Sequence, residues 1–195
     1  MIEIYAQNLA NTWFAVASCD QKIVTSSFAT SEKTALINVL NNLPFNTPFQ
    51  LFPEPNPTAT VILQAIKQIY RGEDTKVKLN LATEDLPVYT QKVVKATLEI
   101  PVGYVTSYGA IAAAVGGGAR AVGNAMACNL FPPIVPCHRV VKSDLSLGGY
   151  GAGGLGVKLE FLRREKRGFT EPKDVSVDGV FLRVFPVEDV LRKYS

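Results

Sequence analysis

Three consecutive glycines at positions 116–118 restrict the fold of this chain more than any other short stretch. Glycine is a poor helix former, so a helix is not expected to continue through three of them. The segments on either side, SYGAIAAAV and ARAVGNAMACN, are alanine-rich and show helical patterns. The sequence therefore predicts two short helices joined by a tight turn, which is the outline of a helix-turn-helix motif.

A helix-turn-helix motif can present its second helix to the major groove of DNA. Arg120 stands at the start of the second helical pattern, beside side chains too small to block a groove, and this favours a DNA contact. Small residues also allow helices to pack closely in an ordinary core. The pattern alone leaves that second interpretation open.

The charge is distributed unevenly along the chain. Residues 1–85 carry 6 Lys and Arg against 8 Asp and Glu, whereas residues 86–168 carry 10 against 4, an excess of +6. A nucleic-acid-binding face requires such an excess, because phosphate contacts supply much of the affinity. A basic surface without a nucleic-acid partner is the alternative that charge leaves open.

The N-terminal segment shows a different pattern. Short apolar runs between residues 2 and 28 alternate with polar turns, which predicts strands and a hairpin. Two helical patterns follow, the first capped by Ser31, and KVKLNLA then alternates like a strand. Five prolines at positions 44–57 predict that no regular element forms there. We expect a small N-terminal α/β domain with a short sheet over residues 1–84, without a catalytic constellation.

The rest of the chain predicts mainly helices. PVYTQKVVKATLEI opens with Pro87 at an allowed first-turn position, and VKLEFLRREKRG predicts a later helix. We therefore expect a helical domain over residues 85–169, carrying the helix-turn-helix and the cysteine segment. In the extension over residues 170–195, VFLRVF predicts a strand and PVEDVLRKY a short helix, with no role that the sequence reveals. The fold class predicted for the whole chain is α+β.

The segment IVPCHRVV places Cys137 beside His138, the only histidine in the chain. A cysteine with a histidine suggests an activated nucleophile, because the thiolate is the reactive form. Neighbouring residues in an extended segment point to opposite faces, so the two side chains cannot simply face each other in a strand. A buried, hydrogen-bonded core histidine is the structural alternative for His138.

The stretch PCHRV resembles the active-site signature of the O6-alkylguanine-DNA alkyltransferases, repair proteins that remove alkyl groups from guanine O6. The resemblance runs from about Val93 to Gly168, through GYVTSYGAIA, ARAVGNAM, PIVPCHRVV, GGYGAGG and VKLEFLRRE. These blocks stand in the family's order and nearly at its spacing. Residues 1–85 match the family only in their general layout.

The resemblance implies that Cys137 accepts the alkyl group in one irreversible, stoichiometric reaction, after the base has been flipped out of the duplex. It implies a relay of Cys137 with His138 and Glu165, in which the histidine reaches the thiol through a water molecule. Asn129 would bridge the helix-turn-helix to the active-site loop, and Tyr108 would assist the flip or protonate the departing guanine. No cofactor is implied, because the thioether product is final.

The resemblance also implies a DNA face and a substrate pocket. Arg120 would fill the space that the flipped base leaves, and Tyr108 would contact the DNA beside it. The other implied DNA-binding residues are Ala119, Ala121, Gly123, Asn124 and Arg139. The implied pocket residues are Val140, Tyr150, Gly151, Ala152 and Gly153. This loop departs from the family pattern, because it is one residue longer between Tyr150 and Lys158.

Taken one at a time, these residues have ordinary alternatives. Glu165 could be a surface carboxylate in a local ion pair, and Asn129 could be a helix C-cap. Arg120 could contact a phosphate, and Tyr108 could belong to the core. Two other functional classes are compatible with some of the same residues. A cysteine hydrolase or thiol redox protein gives no reason for Arg120 and Tyr108, and a DNA-binding module without chemistry gives none for Cys137.

The three cysteines do not make a disulfide framework, which favours a reducing compartment. No apolar run approaches the roughly 20 residues needed to cross a bilayer, and the start lacks a secretory-signal pattern. We expect a cytoplasmic protein, or a nuclear one in a eukaryote, that acts as a monomer on double-stranded DNA containing O6-alkylguanine. No membrane and no obligate protein partner are expected.

Some members of the resembled family hold a structural zinc in their N-terminal domain. Here that half has one cysteine and no histidine, so no metal site of that type is expected. Cys19 and Cys128 are expected to be small apolar fillers.

Overall fold

A computed structural model describes residues 1–194, and the chain separates into two units by its internal contacts. The first unit comprises residues 1–70, 74–85 and 130–134. The second comprises residues 71–73, 86–129 and the chain from residue 135 onward. Residues 130–134 thus belong to the first unit, and the C-terminal segment after residue 169 belongs to the second.

The first unit is a four-stranded sheet with two helices. Its strands are β1 (Ile2–Leu9), β2 (Thr12–Cys19), β3 (Lys22–Ala29) and β4 (Phe49–Phe52), and its helices are α1 (Glu32–Asn41) and α2 (Pro57–Tyr70). The order is β3-β2-β1-β4, antiparallel except for the β1–β4 pair. Ser31 caps α1, because its hydroxyl accepts a hydrogen bond from the backbone N–H of Thr34 at 3.2 Å.

Two predictions for this unit were wrong. The proline-rich stretch contains β4, which forms between Pro48 and Pro53 and pairs with β1 alone, at the edge of the sheet. Proline is tolerated next to an edge strand, because few ladder hydrogen bonds are needed there. The alternating segment KVKLNLA does not form a strand and makes a single bridge, between Leu81 and Ile23.

Residues 130–134 are held by buried hydroxyl groups of β3. The Thr25 hydroxyl donates to the carbonyl of Leu130 at 2.6 Å, and the Ser26 backbone N–H donates to the same carbonyl at 3.0 Å. The Ser26 hydroxyl donates to the carbonyl of Pro132 at 2.9 Å. These bonds satisfy polar groups that are buried in the first unit.

The second unit combines five helices with a small sheet. The helices are α3 (Val88–Leu98), α4 (Tyr108–Val115), α5 (Ala119–Ala127), α6 (Gly154–Arg164) and α7 (Val187–Leu191). The strands are β5 (Tyr104–Ser107), β6 (Val140–Val141), β7 (Lys173–Val177) and β8 (Val180–Pro186), in the order β6-β5-β8-β7.

This sheet refines the prediction of a mainly helical domain. The strand and short helix predicted near the C-terminus are confirmed as β8 and α7. Strand β8 pairs antiparallel with β5, which lies directly before α4. The fold class, α+β, is confirmed.

The helix-turn-helix outline is present as α4 and α5. Gly116 and Gly117 in the turn have φ angles of +89° and +86°, which favour glycine. A Cβ atom on Gly117 would also lie 2.8 Å from the Tyr89 hydroxyl oxygen, so the turn has no room for a side chain there. Within residues 1–194, no helix is long and apolar enough to cross a membrane.

Candidate active site

Cys137 begins a single 3-10 turn, Cys137–Arg139, that leads into β6. The turn closes through the Arg139 backbone N–H, which donates to the carbonyl of Pro136 at 2.9 Å. Successive side chains in a 3-10 turn project about 120° apart. The side chains of Cys137 and His138 therefore lie in different surroundings although the two residues are neighbours. Cys137 lines a cavity, and His138 is completely buried.

Asn129 connects the end of α5 with the cysteine segment. Its side-chain N–H group Nδ2 donates to Cys137 Sγ at 3.2 Å and to the carbonyl of Val135 at 3.0 Å. Burial raises the pKa of the Cys137 thiol, while the Asn129 hydrogen bond and the positive charge of Lys158 oppose that rise. The resting side chain is thus a thiol beside groups that stabilise its thiolate.

His138 and Glu165 form a buried pair. His138 Nε2 lies 2.7 Å from Glu165 Oε1, and neither side chain is exposed. A carboxylate only accepts hydrogen bonds, so Nε2 carries the proton and donates it. Burial lowers the pKa of His138, which keeps the imidazole neutral. The other ring nitrogen, Nδ1, is then an unprotonated base, and it bonds to no residue among 1–194.

The structure corrects the prediction that Arg139 contacts DNA. Arg139 is only 7% exposed, and its guanidinium makes a forked ion pair with Glu165, from Nε at 3.0 Å to Oε2 and from Nη2 at 2.9 Å to Oε1. Its Nη1 donates to the carbonyl of Ile100 at 2.5 Å. With its donors engaged inside the protein, Arg139 is a partner of the buried carboxylate and not a surface cation.

The two partners keep Glu165 ionised. Burial alone would raise the pKa of this carboxyl group, but the charges of His138 and Arg139 and the hydrogen bonds from both lower it to about 2. Glu165 follows the last residue of α6, where the buried face of that helix continues. The alternative of a surface carboxylate is therefore wrong.

Lys158 is a site residue that sequence reasoning did not select. It is completely buried, and its Nζ donates to the carbonyls of Val140 at 2.6 Å and Gly149 at 3.1 Å. Burial lowers its pKa to about 8, although the negative charge of an ionised Cys137 would raise it. Its position three and four residues before Phe161 and Leu162, on the apolar face of α6, was the available signal.

A cavity of about 420 Å³ opens in front of Cys137. Tyr150 and Gly151 line it as predicted. Ala152 and Gly153 are not among the lining residues, because the chain turns away there into α6, with Gly153 as its N-cap at a φ of +112°. The lining residues that sequence reasoning missed are Met126, Ala127 and Lys142, whereas Gly148 and Gly149 belong to the GGYGAGG loop that the resemblance implied as a pocket wall.

Val140 is a further correction to the predicted pocket. Its side chain is completely buried in the hydrophobic core of the second unit, and it does not line the cavity. Its backbone carbonyl, which receives the Lys158 hydrogen bond, is the part of this residue that serves the site.

The helix-turn-helix supplies one wall of the cavity. Tyr108, the first residue of α4, lines it together with Ala119, Arg120 and Gly123 of α5. Asn124 is exposed further along α5 and Ala121 is half-buried, and neither lines the cavity. Burial raises the pKa of the Tyr108 hydroxyl, and the charge of an ionised Cys137 adds to that effect. The tyrosine is therefore protonated at neutral pH.

The remaining cysteines have separate positions. Cys19 is partly buried and packs against the core of the first unit, in keeping with a filler. Cys128 is exposed at the C-cap of α5, so the prediction of an apolar filler is wrong for it. The residues that the structure describes contain no group of three or more His, Cys, Asp and Glu side chains that could hold a metal ion.

Comparisons with a family model and with known proteins all find similarity to methyltransferases that act on methylated DNA. The family model described as "6-O-methylguanine DNA methyltransferase, DNA binding domain" matches residues 88–167. A methylated-DNA–protein-cysteine methyltransferase of Pyrobaculum aerophilum is 56% identical over 68 residues, which are 35% of this chain and 45% of that protein. The enzyme of the same name from Mycobacterium bovis is 42% identical over 118 residues, which are 58% of this chain and 68% of the relative.

A solved structure extends the similarity beyond the matched segment. The crystal structure of Mycobacterium tuberculosis OGT in complex with DNA superposes with a TM-score of 0.64 at 27% identity. The superposition covers 84% of this chain and 92% of that one. It includes parts of the first unit, for which the sequence had suggested only a general likeness.

Proposed function

Because this chain belongs to the family of methylated-DNA–protein-cysteine methyltransferases, we propose that it repairs DNA by transferring the alkyl group of O6-alkylguanine to its own Cys137. One observation carries this proposal. The buried thiol of Cys137 lines a cavity, and the helix-turn-helix forms one wall of that cavity. The next residue, His138, forms a buried imidazole–carboxylate pair with Glu165. This combination provides a nucleophile, a base and a DNA-binding element within the second unit.

The proton path follows from the hydrogen bonds. Nε2 of His138 donates to the Glu165 carboxylate, which leaves Nδ1 as the atom that can take the Cys137 proton, with a water molecule between them. The imidazolium that forms is stabilised by Glu165. Arg139 holds that carboxylate in place and keeps it ionised, so it is a positioning residue.

The thiolate then displaces the guanine. Cys137 Sγ forms a bond to the alkyl carbon as the bond from that carbon to guanine O6 breaks, and the electron pair passes to the base. Tyr108 lines the cavity with a protonated hydroxyl, so it supplies a proton to the departing guanine. Asn129 and Lys158 stabilise the thiolate before the attack.

The substrate base lies inside duplex DNA and must be extruded to reach the cavity. Arg120 is exposed at the start of α5 and lines the cavity, so it occupies the space that the base vacates. Met126, Ala127 and the glycines of the loop leave the cavity wall largely apolar around the alkyl group. We propose that O6-alkylguanine is the preferred lesion.

The product is a thioether, which water does not hydrolyse, so each chain reacts once and the reaction needs no cofactor. The test is titration with a duplex carrying a radiolabelled methyl group on guanine O6. Label should appear on the protein and saturate at one per chain, with none on the Cys137→Ala variant. Turnover beyond one equivalent, or equal labelling of the variant, would contradict the proposal.

A further inference from the structure

Lys142 follows β6 and lines the same cavity as Cys137. The described lining residues include two exposed cations, Lys142 and Arg120, and no Asp or Glu. Phosphate groups are the natural partners of such cations on a DNA-binding protein. The mechanism above uses Arg120 and leaves Lys142 without a role.

The backbone of Lys142 is fixed. Its N–H donates to the carbonyl of Ser146 at 2.9 Å, and its carbonyl accepts from the N–H of Leu145 at 2.9 Å. The side chain therefore starts from a rigid base, which lowers the entropic cost of placing a ligand beside it.

The ammonium group of Lys142 is available to a ligand. It forms no hydrogen bond or ion pair with the part of the chain that the structure describes, residues 1–194. Asp144, the acidic residue of the same turn, accepts from the backbone N–H of Ser146 at 3.0 Å and from its hydroxyl at 2.7 Å. The hydrogen bonds from Ser146 lower the pKa of this carboxyl group, and the charges of Lys193 and Lys142 lower it by smaller amounts, although Lys142 forms no ion pair with it.

A free base in the cavity would carry no negative charge for Lys142. A nucleotide extruded from DNA keeps the phosphates on both sides of it, and these remain outside the cavity because they continue into the strand. We propose that Lys142 binds a phosphate adjoining the extruded nucleotide and so positions the damaged strand over Cys137. This inference rests on the proposed function, because it assumes that the cavity receives a nucleotide from DNA.

The test compares Lys142→Ala with the wild-type protein on two substrates, an O6-methylguanine duplex and free O6-benzylguanine. The rate on the duplex should fall several-fold, and the loss should be at least about threefold larger than with the free base. In a Cys137→Ser background, duplex affinity is measured against salt by fluorescence anisotropy. Removing one phosphate contact should make the slope of log affinity against log salt less negative by about 0.9.

Lys166→Ala is the matched control, since it removes the same charge from an exposed lysine of the same unit that does not line the cavity. Unlike Lys142→Ala, it should leave unchanged both the ratio of the rates on the two substrates and the slope of log affinity against log salt. Lys142→Arg should have wild-type values of both. Equal losses on the two substrates, an unchanged slope, or equal effects of the two alanine variants would overturn the role of Lys142. If the wild-type protein transfers an alkyl group from neither substrate, the proposed function is contradicted. The role of Lys142 in binding phosphate is still tested in that case, because the salt dependence of DNA affinity is measured in a variant that cannot react.

Discussion

Glu165 Oε1 accepts hydrogen bonds from two residues at once, from His138 Nε2 at 2.7 Å and from Arg139 Nη2 at 2.9 Å, and the carboxylate is completely buried. The residues 138 and 139 are neighbours in a 3-10 turn, so one carboxylate fixes both of them. The arrangement ties the base of the site to the end of α6 and leaves His138 Nδ1 without a hydrogen-bond partner among residues 1–194.

Glu165→Gln should destabilise the protein by roughly 3–5 kcal/mol at pH 7, because it leaves the Arg139 charge buried without its carboxylate. The folded-state pKa of Glu165 is lowered to about 2. Its stabilisation is therefore complete above its ordinary pKa and is lost as the pH falls through the folded value. Denaturant unfolding at several pH values should show the two proteins converging as the pH drops from about 5 to 2.

Glu160→Gln is the control for this prediction, since it removes an exposed carboxylate of α6 that pairs with Arg163. An exposed pair of this kind contributes about 1 kcal/mol or less. If Glu165→Gln lowers the free energy of unfolding as little as the control does, the buried ion pair does not stabilise the fold.

Lys158→Met should shift the pH dependence of transfer to higher pH. Removing the ammonium group takes away a charge that favours the Cys137 thiolate, so the pKa of the thiol rises further above its ordinary value. A shift of one pH unit would lower the rate at pH 7 roughly tenfold. The rate with free O6-benzylguanine, measured from pH 6 to pH 10, tests this without involving DNA.

In the wild-type protein, burial lowers the pKa of Lys158 to about 8, so the rise of the rate with pH should flatten above that value. The methionine variant should show no such flattening, and neither should Lys158→Arg, because a guanidinium stays charged over this pH range. Circular dichroism checks that both variants are folded. Superimposable wild-type and methionine profiles would exclude the proposed electrostatic role.

Arg120→Ala should slow repair of duplex DNA by about tenfold, which corresponds to about 1.4 kcal/mol. The reason is that no side chain then fills the space left by the extruded base. The reaction with free O6-benzylguanine should lose much less, because no base has to be extruded. Equal losses on both substrates, in single-turnover experiments, would contradict the role of Arg120 in extrusion.

Sequence patterns predicted the elements that local rules determine. The cap at Ser31, the turn at Gly116 and Gly117, and the short helices α4 and α5 follow from cap and glycine chemistry within a few residues. The edge strand β4 was missed because its existence depends on pairing with β1, whose residues lie 47 positions earlier in the sequence.

The residues of the candidate site also differ in how far local sequence indicates their role. Cys137 and His138 were identified because a cysteine next to a histidine suggests an activated nucleophile, and Glu165 was identified by similarity to a family pattern. Arg139 was assigned to the surface because an arginine in a basic segment gives no sign that its partner is a buried carboxylate 26 residues later. Lys158 was overlooked for a related reason, since its partners are backbone carbonyls that no sequence pattern marks.

The most direct measurement is the intact mass of the protein after incubation with an O6-methylguanine duplex, followed by peptide mapping. We predict the addition of one methyl group per chain, located on Cys137, with Cys19 and Cys128 unmodified. The Cys137→Ala variant should bind the same duplex and gain no mass. An unchanged mass of the wild-type protein bound to that duplex, or methylation of another cysteine, would contradict transfer to Cys137.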